Sequence, residues 1–162
     1  MQQKISPFLW YTKEAEEAAR HYASVVPDSR VTRVTTLPSD TPSGPAGSVK
    51  VVEFELFGQP FMAISAGPLD AFNHAVSFVV KCETQAEIDR YWNGFLEAGG
   101  QAEECGLKDR YGLCWQIVPS RLGEMMSDPD RAKAKRAADA MLKMQKFDIA
   151  ALEAAYAGKA VR

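Results

Sequence analysis

Apolar and polar positions alternate along this chain in a way that predicts its elements one after another. Ile5-Ser6-Pro7-Phe8-Leu9-Trp10-Tyr11 is a short aromatic run bounded by Thr12-Lys13-Glu14, which predicts a strand passing into a helix capped by Thr12 or a neighbour. Ala15, Ala18, Tyr22 and Val25 then recur at helical spacing, with Glu14, Glu16, Glu17 and Arg20 on the other side, until Pro27-Asp28-Ser29 ends the period. Arg30 to Leu37 alternates Val31 and Val34 with threonines as a strand does, and the Pro-, Ser- and Gly-rich stretch from Pro38 to Gly47 reads as a loop. Val49 to Phe57 predicts a strong strand, Gly58-Gln59-Pro60 a turn, and Phe61 to Ser65 an antiparallel return.

The same order then starts again. Phe8 and Phe78 hold matching places about seventy residues apart, and the same offset carries Tyr22 to Trp92. Ala75 to Cys82 is the second first strand, Thr84-Gln85-Ala86-Glu87 a capping box, and Ile88, Trp92, Phe95 and Leu96 the buried stripe of a helix closed by Gly99-Gly100. Gln101 to Cys105, Arg110 to Gly112 and Leu113 to Pro119 supply three further strands. The prediction is an α+β chain of two strand-helix-strand-strand-strand modules, residues 1–68 and 69–126, joined at Gly67-Pro68-Leu69-Asp70. A helical tail, 127–162, follows. Ser127-Asp128-Pro129-Asp130 starts a helix bearing Ala134, Ala137, Met141 and Met144, and Asp148 caps another bearing Ile149, Leu152 and Tyr156, with Gly158 as its stop. The tail's apolar stripe needs a surface to cover, on its own domain or on a second subunit.

Composition narrows the partners. A net charge of −2 and a pI near 5.7 give no attraction for a phosphate backbone or an anionic bilayer, so nucleic acid and membrane are set aside. No window reaches the apolar length of a membrane span, and the amino terminus lacks the pattern of a signal peptide. Cys82, Cys105 and Cys114 are odd in number and far apart, which argues against a disulfide framework or a structural zinc and suits a reducing cytoplasm.

A βαβββ unit occurring twice, with Ile5 to Tyr11 at its first strand and Trp115-Gln116-Ile117-Val118-Pro119 at its last, resembles the vicinal oxygen chelate superfamily. More closely it is similar to the PhnB-like branch, whose sequences Arg110 to Pro119 and Phe147 to Gly158 match in order. The resemblance implies paired modules whose mixed sheets curve into a glyoxalase-like cup, with helices on the convex side, a ligand site on the concave side, and a homodimer. It also implies, for catalytic members such as glyoxalases and extradiol dioxygenases, a divalent metal held by His near the start of a first strand and Glu near the end of a last strand. Measured back from His21-Tyr22, the histidine position falls on Pro7, and its counterpart in the second half is Ser77. The glutamate position falls on Gln116, and in the first half among Met62, Ala63, Ile64 and Ser65. Proline offers no donor atom, and serine and a neutral amide are poor ligands for transition metals. No cofactor is therefore expected, with a weak divalent metal left open.

The resemblance and strand alternation together propose a pocket. Pro7, Leu9 and Tyr11 are expected to face the ligand while Phe8 and Trp10 face the helices, and Ser77, Val79, Cys114 and Gln116 line the second half. Glu53 and Glu55 share one strand face, either solvated or lining the cup, where paired carboxylates suit acid and base work. His74 is a loop histidine or a base, and Cys114 is a structural thiol unless a base lies near it. Lys108-Asp109-Arg110 reads as a solvated turn, and Arg131, Lys133, Lys135 and Arg136 as the wet side of the tail helix. The leading expectation is a metal-free binder of a small apolar or aromatic molecule, by analogy with the superfamily's bleomycin-resistance binders. The alternatives are a metal-assisted isomerase, lyase or dioxygenase using His74 with Glu53 or Glu55, and a structural dimer braced by its tail. A further one is the branch's common label, 3-demethylubiquinone-9 3-methyltransferase, against which stands the lack of a Gly-rich strand-to-helix loop.

Overall fold

The structure, a computed structural model, describes residues 4–97, 99–103 and 106–159, so the expectations for Cys105 lie outside the described residues. The chain divides into two compact units, Met1–Ala71 and Phe72–Arg162. The first runs β1 (Phe8–Tyr11), α1 (Ala15–Val25), β2 (Arg30–Thr36), β3 (Lys50–Leu56) and β4 (Gln59–Ser65). Its sheet has the order β1-β4-β3-β2, with β1 parallel to β4 and the other pairs antiparallel. Phe57 and Gly58, both at positive φ, make the tight β3–β4 turn one residue earlier than the proline suggested. No side chain of its own caps α1. Ser65 of β4 instead takes its first amide through Oγ, Ala15 N to Ser65 Oγ being 3.0 Å.

The second unit repeats the plan with β5 (Ser77–Cys82), α2 (Gln85–Glu97), β6 (Gln101–Glu103), β7 (Gly106–Lys108) and β8 (Cys114–Pro119), in the order β5-β8-β7-β6. Thr84 and Glu87 form the expected capping box, each accepting the other's backbone N–H at 3.2 Å. The middle strand is not Arg110 to Gly112, which forms a turn, but Gly106–Lys108. Asp109 accounts for the shift. Its Oδ1 accepts the backbone N–H of Tyr111 at 2.9 Å and of Leu113 at 3.0 Å, which bends the chain where a strand was expected.

After the second sheet come α3 (Leu122–Met126) and, in the tail, α4 (Arg131–Met141) and α5 (Ile149–Tyr156); Asp148 caps α5 as expected, whereas Asp130, expected in the first turn behind an early proline, is itself the cap of α4. The tail covers its own unit. Phe147 and Leu152 are buried, and the Gln85 amide of α2 both donates to Phe147 O at 3.0 Å and accepts from Ile149 N at 2.9 Å. Lys146 reaches Asp89 of α2 at 2.6 Å, Arg121 pairs with Glu153, and Tyr156 donates to Asp128. Arg136, on the exposed side of α4 as expected, also closes the end of α5 by donating to Ala155 O and Tyr156 O. No helix among the described residues is long and apolar enough to cross a membrane.

Candidate functional site in the second module

Each sheet has one face on its helix and one open face. In the first unit Tyr11 Oη lies 3.1 Å from Tyr22 Oη of α1, and Leu9 and Tyr11 are buried with Val52, Phe54, Phe61 and Ala63. Trp10 lies on the other face, against a small cluster of Val49, Ile64 and Ala66, and Phe8 is 55% exposed. The expected facing of β1 is therefore reversed. Leu9 and Tyr11, and by alternation Pro7, belong to the helix face, while Phe8 and Trp10 belong to the open one.

The reason is a single residue. Thr12-Lys13-Glu14 separates β1 from α1, whereas only Glu83-Thr84 separates β5 from α2. An offset that aligns the helices is therefore one short for the strands, and a one-residue slip moves every strand side chain to the opposite face. By facing, Ser77 corresponds to Ser6 and Tyr11 to Cys82.

Glu53 and Glu55 do lie on the open face of β3, but not as a free carboxylate pair. Cross-strand register sets Arg33 against Glu53, at 2.5 Å, and Arg30 against Glu55, at 3.0 Å.

The second unit gathers the expected chemistry on its open face. Trp115 and Phe78 point to α2, where the Trp115 and Phe95 rings stack with centroids 4.4 Å apart. Register then puts Ser77 opposite Cys114 and Val79 opposite Gln116 on the other side. A cavity of about 120 Å³ opens there, lined by His74, Ser77, Glu103, Gly106, Cys114 and Gln116 among others. Gln116 Nε2 donates to Ser77 Oγ at 2.8 Å. His74 Nδ1 lies 3.6 Å from Cys114 Sγ, and its Nε2 lies 2.9 Å from Glu103 Oε2, while Lys108 Nζ stands 3.4 Å from the other oxygen of Glu103. Burial, then the Glu103 charge, push the Cys114 thiol above its usual range, with Lys108 working the other way, so at neutral pH it is held protonated. Of the residues that sequence reasoning named, Ser77, Cys114, Gln116 and His74 line this cavity and Val79 does not; Glu103 and Gly106 were missed, and Lys108, read as part of a solvated turn, instead reaches Glu103. Glu103 closes a three-residue strand too short to show a period, and its place beside His74 comes from the β6–β7 pairing.

Gly106 is required by close approach rather than by its backbone angle. A Cβ there would lie 2.6 Å from the Trp115 carbonyl oxygen in the neighbouring strand. Gly106→Ala is expected to destabilise the protein by about 1–3 kcal/mol in denaturant unfolding, since backbone on both sides must give way.

These residues do not fit the superfamily's metal centre. Ser77 and Gln116, where the resemblance would put two ligands, are neutral and bonded to each other, and Gln116 presents its amide N–H₂ side. Among the described residues no group of three or more His, Cys, Asp and Glu side chains is arranged to hold a metal ion.

The family model described as 3-demethylubiquinone-9 3-methyltransferase matches residues 3–118, through both modules and short of the tail helices. Among solved structures, a PhnB protein from Bacillus cereus, bearing the same methyltransferase name, is 29% identical with a TM-score of 0.60, over 72% of this chain and 99% of that one. A protein from Pseudomonas aeruginosa is 19% identical with a TM-score of 0.55, over 73% and 98% of the two chains. The fosfomycin resistance protein FosX from Mesorhizobium loti is 10% identical with a TM-score of 0.52, over 72% and 90%, a likeness of fold alone. No curated protein matches. Two βαβββ modules, the family match over most of the chain and the likeness to the PhnB protein together place it in the 3-demethylubiquinone-9 3-methyltransferase family, within the PhnB-like branch of the vicinal oxygen chelate superfamily.

Proposed function

We propose that the protein is a metal-free binder of small molecules that uses the open face of its second module, and that its ligand combines an apolar or aromatic body with one hydrogen-bonding group. One observation carries this reading: Gln116 and Ser77, the two residues that the resemblance sets at metal-ligand positions, are joined by a 2.8 Å hydrogen bond. Val79, 52% exposed on the same face, supplies apolar surface, and Ser77, Gln116 and His74 supply few but convergent polar groups. The reading includes a cytoplasmic homodimer. Methyl transfer, the family's name, has less support in this chain. Thr12-Lys13-Glu14, Glu83-Thr84 and Ser120-Arg121, the three strand-to-helix connections among the described residues, contain no glycine, so none is the phosphate-cradling turn of a Rossmann-like cofactor site.

Phenol and benzamide titrated into the protein in the presence of EDTA are expected to shift the amide resonances of Ser77, Val79 and Gln116. Gln116→Ala is expected to weaken the tighter of the two by roughly 2- to 10-fold, the worth of one hydrogen bond. Shifts that appear only after a divalent metal is added, or that avoid these residues, would overturn the reading.

A further inference from the structure

Cys114, His74 and Glu103 stand in the order nucleophile, base and orienting carboxylate, with neighbouring atoms 3.6 Å and 2.9 Å apart. A carboxylate only accepts hydrogen bonds, so the His74 nitrogen facing it, Nε2, carries the proton. Nδ1 is then left with its lone pair toward the Cys114 sulfur, the tautomer a general base requires. Ser77 and Gln116 line the same cavity, and the Gln116 amide has a second N–H beyond the one given to Ser77.

We propose that Cys114 is a nucleophile toward small α,β-unsaturated carbonyl compounds, with His74 as its general base and Glu103 as the positioning residue that sets the His74 tautomer. The inference rests on the reading of this face as a small-molecule site. In the addition, His74 Nδ1 takes the thiol proton as sulfur bonds to the β-carbon and the carbon–carbon π bond opens. The electron pair passes to the enolate oxygen, toward which Ser77 and Gln116 can donate, and the proton returns from His74 to the α-carbon. Nothing leaves and nothing is oxidised. A cavity of about 120 Å³ suits a compound of a few heavy atoms. Because the resting thiol is protonated, the base is needed, and Cys82 provides the contrast. That thiol is also buried, contacts the Val80 carbonyl at 3.9 Å, and is pushed up to about 12 by burial.

The test uses acrylamide on the native protein, with peptide-resolved mass spectrometry, and propionamide as the saturated analogue. Cys114 is expected to be alkylated at least about tenfold faster than Cys82. His74→Ala, at an exposed position, is expected to slow Cys114 by at least about tenfold while leaving Cys82 unchanged. Glu103→Ala is expected to slow Cys114 as well, and Glu103→Gln to restore part of the rate because an amide oxygen still accepts from Nε2. A Cys114 rate no faster than that of Cys82, or unchanged in His74→Ala, overturns the proposal. Propionamide separates the failures. If it shifts the Ser77 and Gln116 resonances while acrylamide does not label Cys114, the nucleophile is wrong and the binding face stands; if it shifts neither, the binding face falls too.

Discussion

Replacing Asp109 by alanine is expected to lower the unfolding free energy by about 3–5 kcal/mol. Asp109 is 3% exposed and its carboxylate accepts from Tyr111 N at 2.9 Å and Leu113 N at 3.0 Å on one oxygen and from the Trp115 indole N–H at 2.9 Å on the other. Truncation leaves all three donors without that acceptor, and an orphaned buried donor costs about 1–3 kcal/mol. The three share one acceptor, so their losses overlap rather than sum. Asp109→Asn is expected to fall between alanine and wild type, because its amide oxygen replaces one acceptor and its N–H₂ opposes the other. Guanidinium unfolding of the three proteins measures the series, and a loss below about 1 kcal/mol in the alanine variant would mean that the turn is held by other groups. The effect should also reach the pocket, since the residue anchored by the indole bond lies between Cys114 and Gln116.

Phe95→Ala should cost a similar amount, about 3–5 kcal/mol, for a different reason. Phe95 is fully buried in α2 and stacks on Trp115 at 4.4 Å and 16°, so truncation opens a void behind the strand whose other face carries the site. Loss of the ring contact adds about 0.5–1.5 kcal/mol to the transfer and cavity effects. Phe95→Leu, which refills most of the volume without the ring, is expected to recover more than half of the loss. The measurements are denaturant midpoints together with tryptophan emission, which should shift to the red in the alanine variant alone. A midpoint within experimental error of wild type would show that the helix collapses onto the sheet and that Trp115 needs no aromatic partner.

Much of the fold was legible because its periods are clean. The α1 stripe of Ala15, Ala18, Tyr22 and Val25, the Thr84–Glu87 capping box and the Asp148 cap all appear where spacing put them. What misled was counting across a connection. Helices fixed the repeat offset, but the extra residue before α1 changed the facing of β1, so Leu9 and Tyr11 became core and Phe8 surface. Ser77 was reached from Pro7 by that same offset, so the one-residue slip leaves Pro7 on the helix face and Ser77 on the open one. Ser77, Val79, Cys114 and Gln116 lie on the open face as alternation proposed. Asp109 escaped because a charged residue between Lys108 and Arg110 looks solvated. Only the fold shows that the side chain turns inward to the Trp115 indole. Glu103 escaped because pairing across strands, not local pattern, brings it to His74. The cross-strand arginines that neutralise Glu53 and Glu55 were likewise invisible without register.

The central claim is that this member of a metal-binding superfamily carries a neutral hydrogen bond where others hold an ion. Calorimetric titration of chelator-treated protein with Mn²⁺, Ni²⁺ and Zn²⁺ tests it most directly. The expected result is no tight one-to-one binding by any of the three, with Ser77→Ala and Gln116→Ala indistinguishable from wild type. One equivalent of metal bound tightly per chain and lost in Gln116→Ala would contradict it.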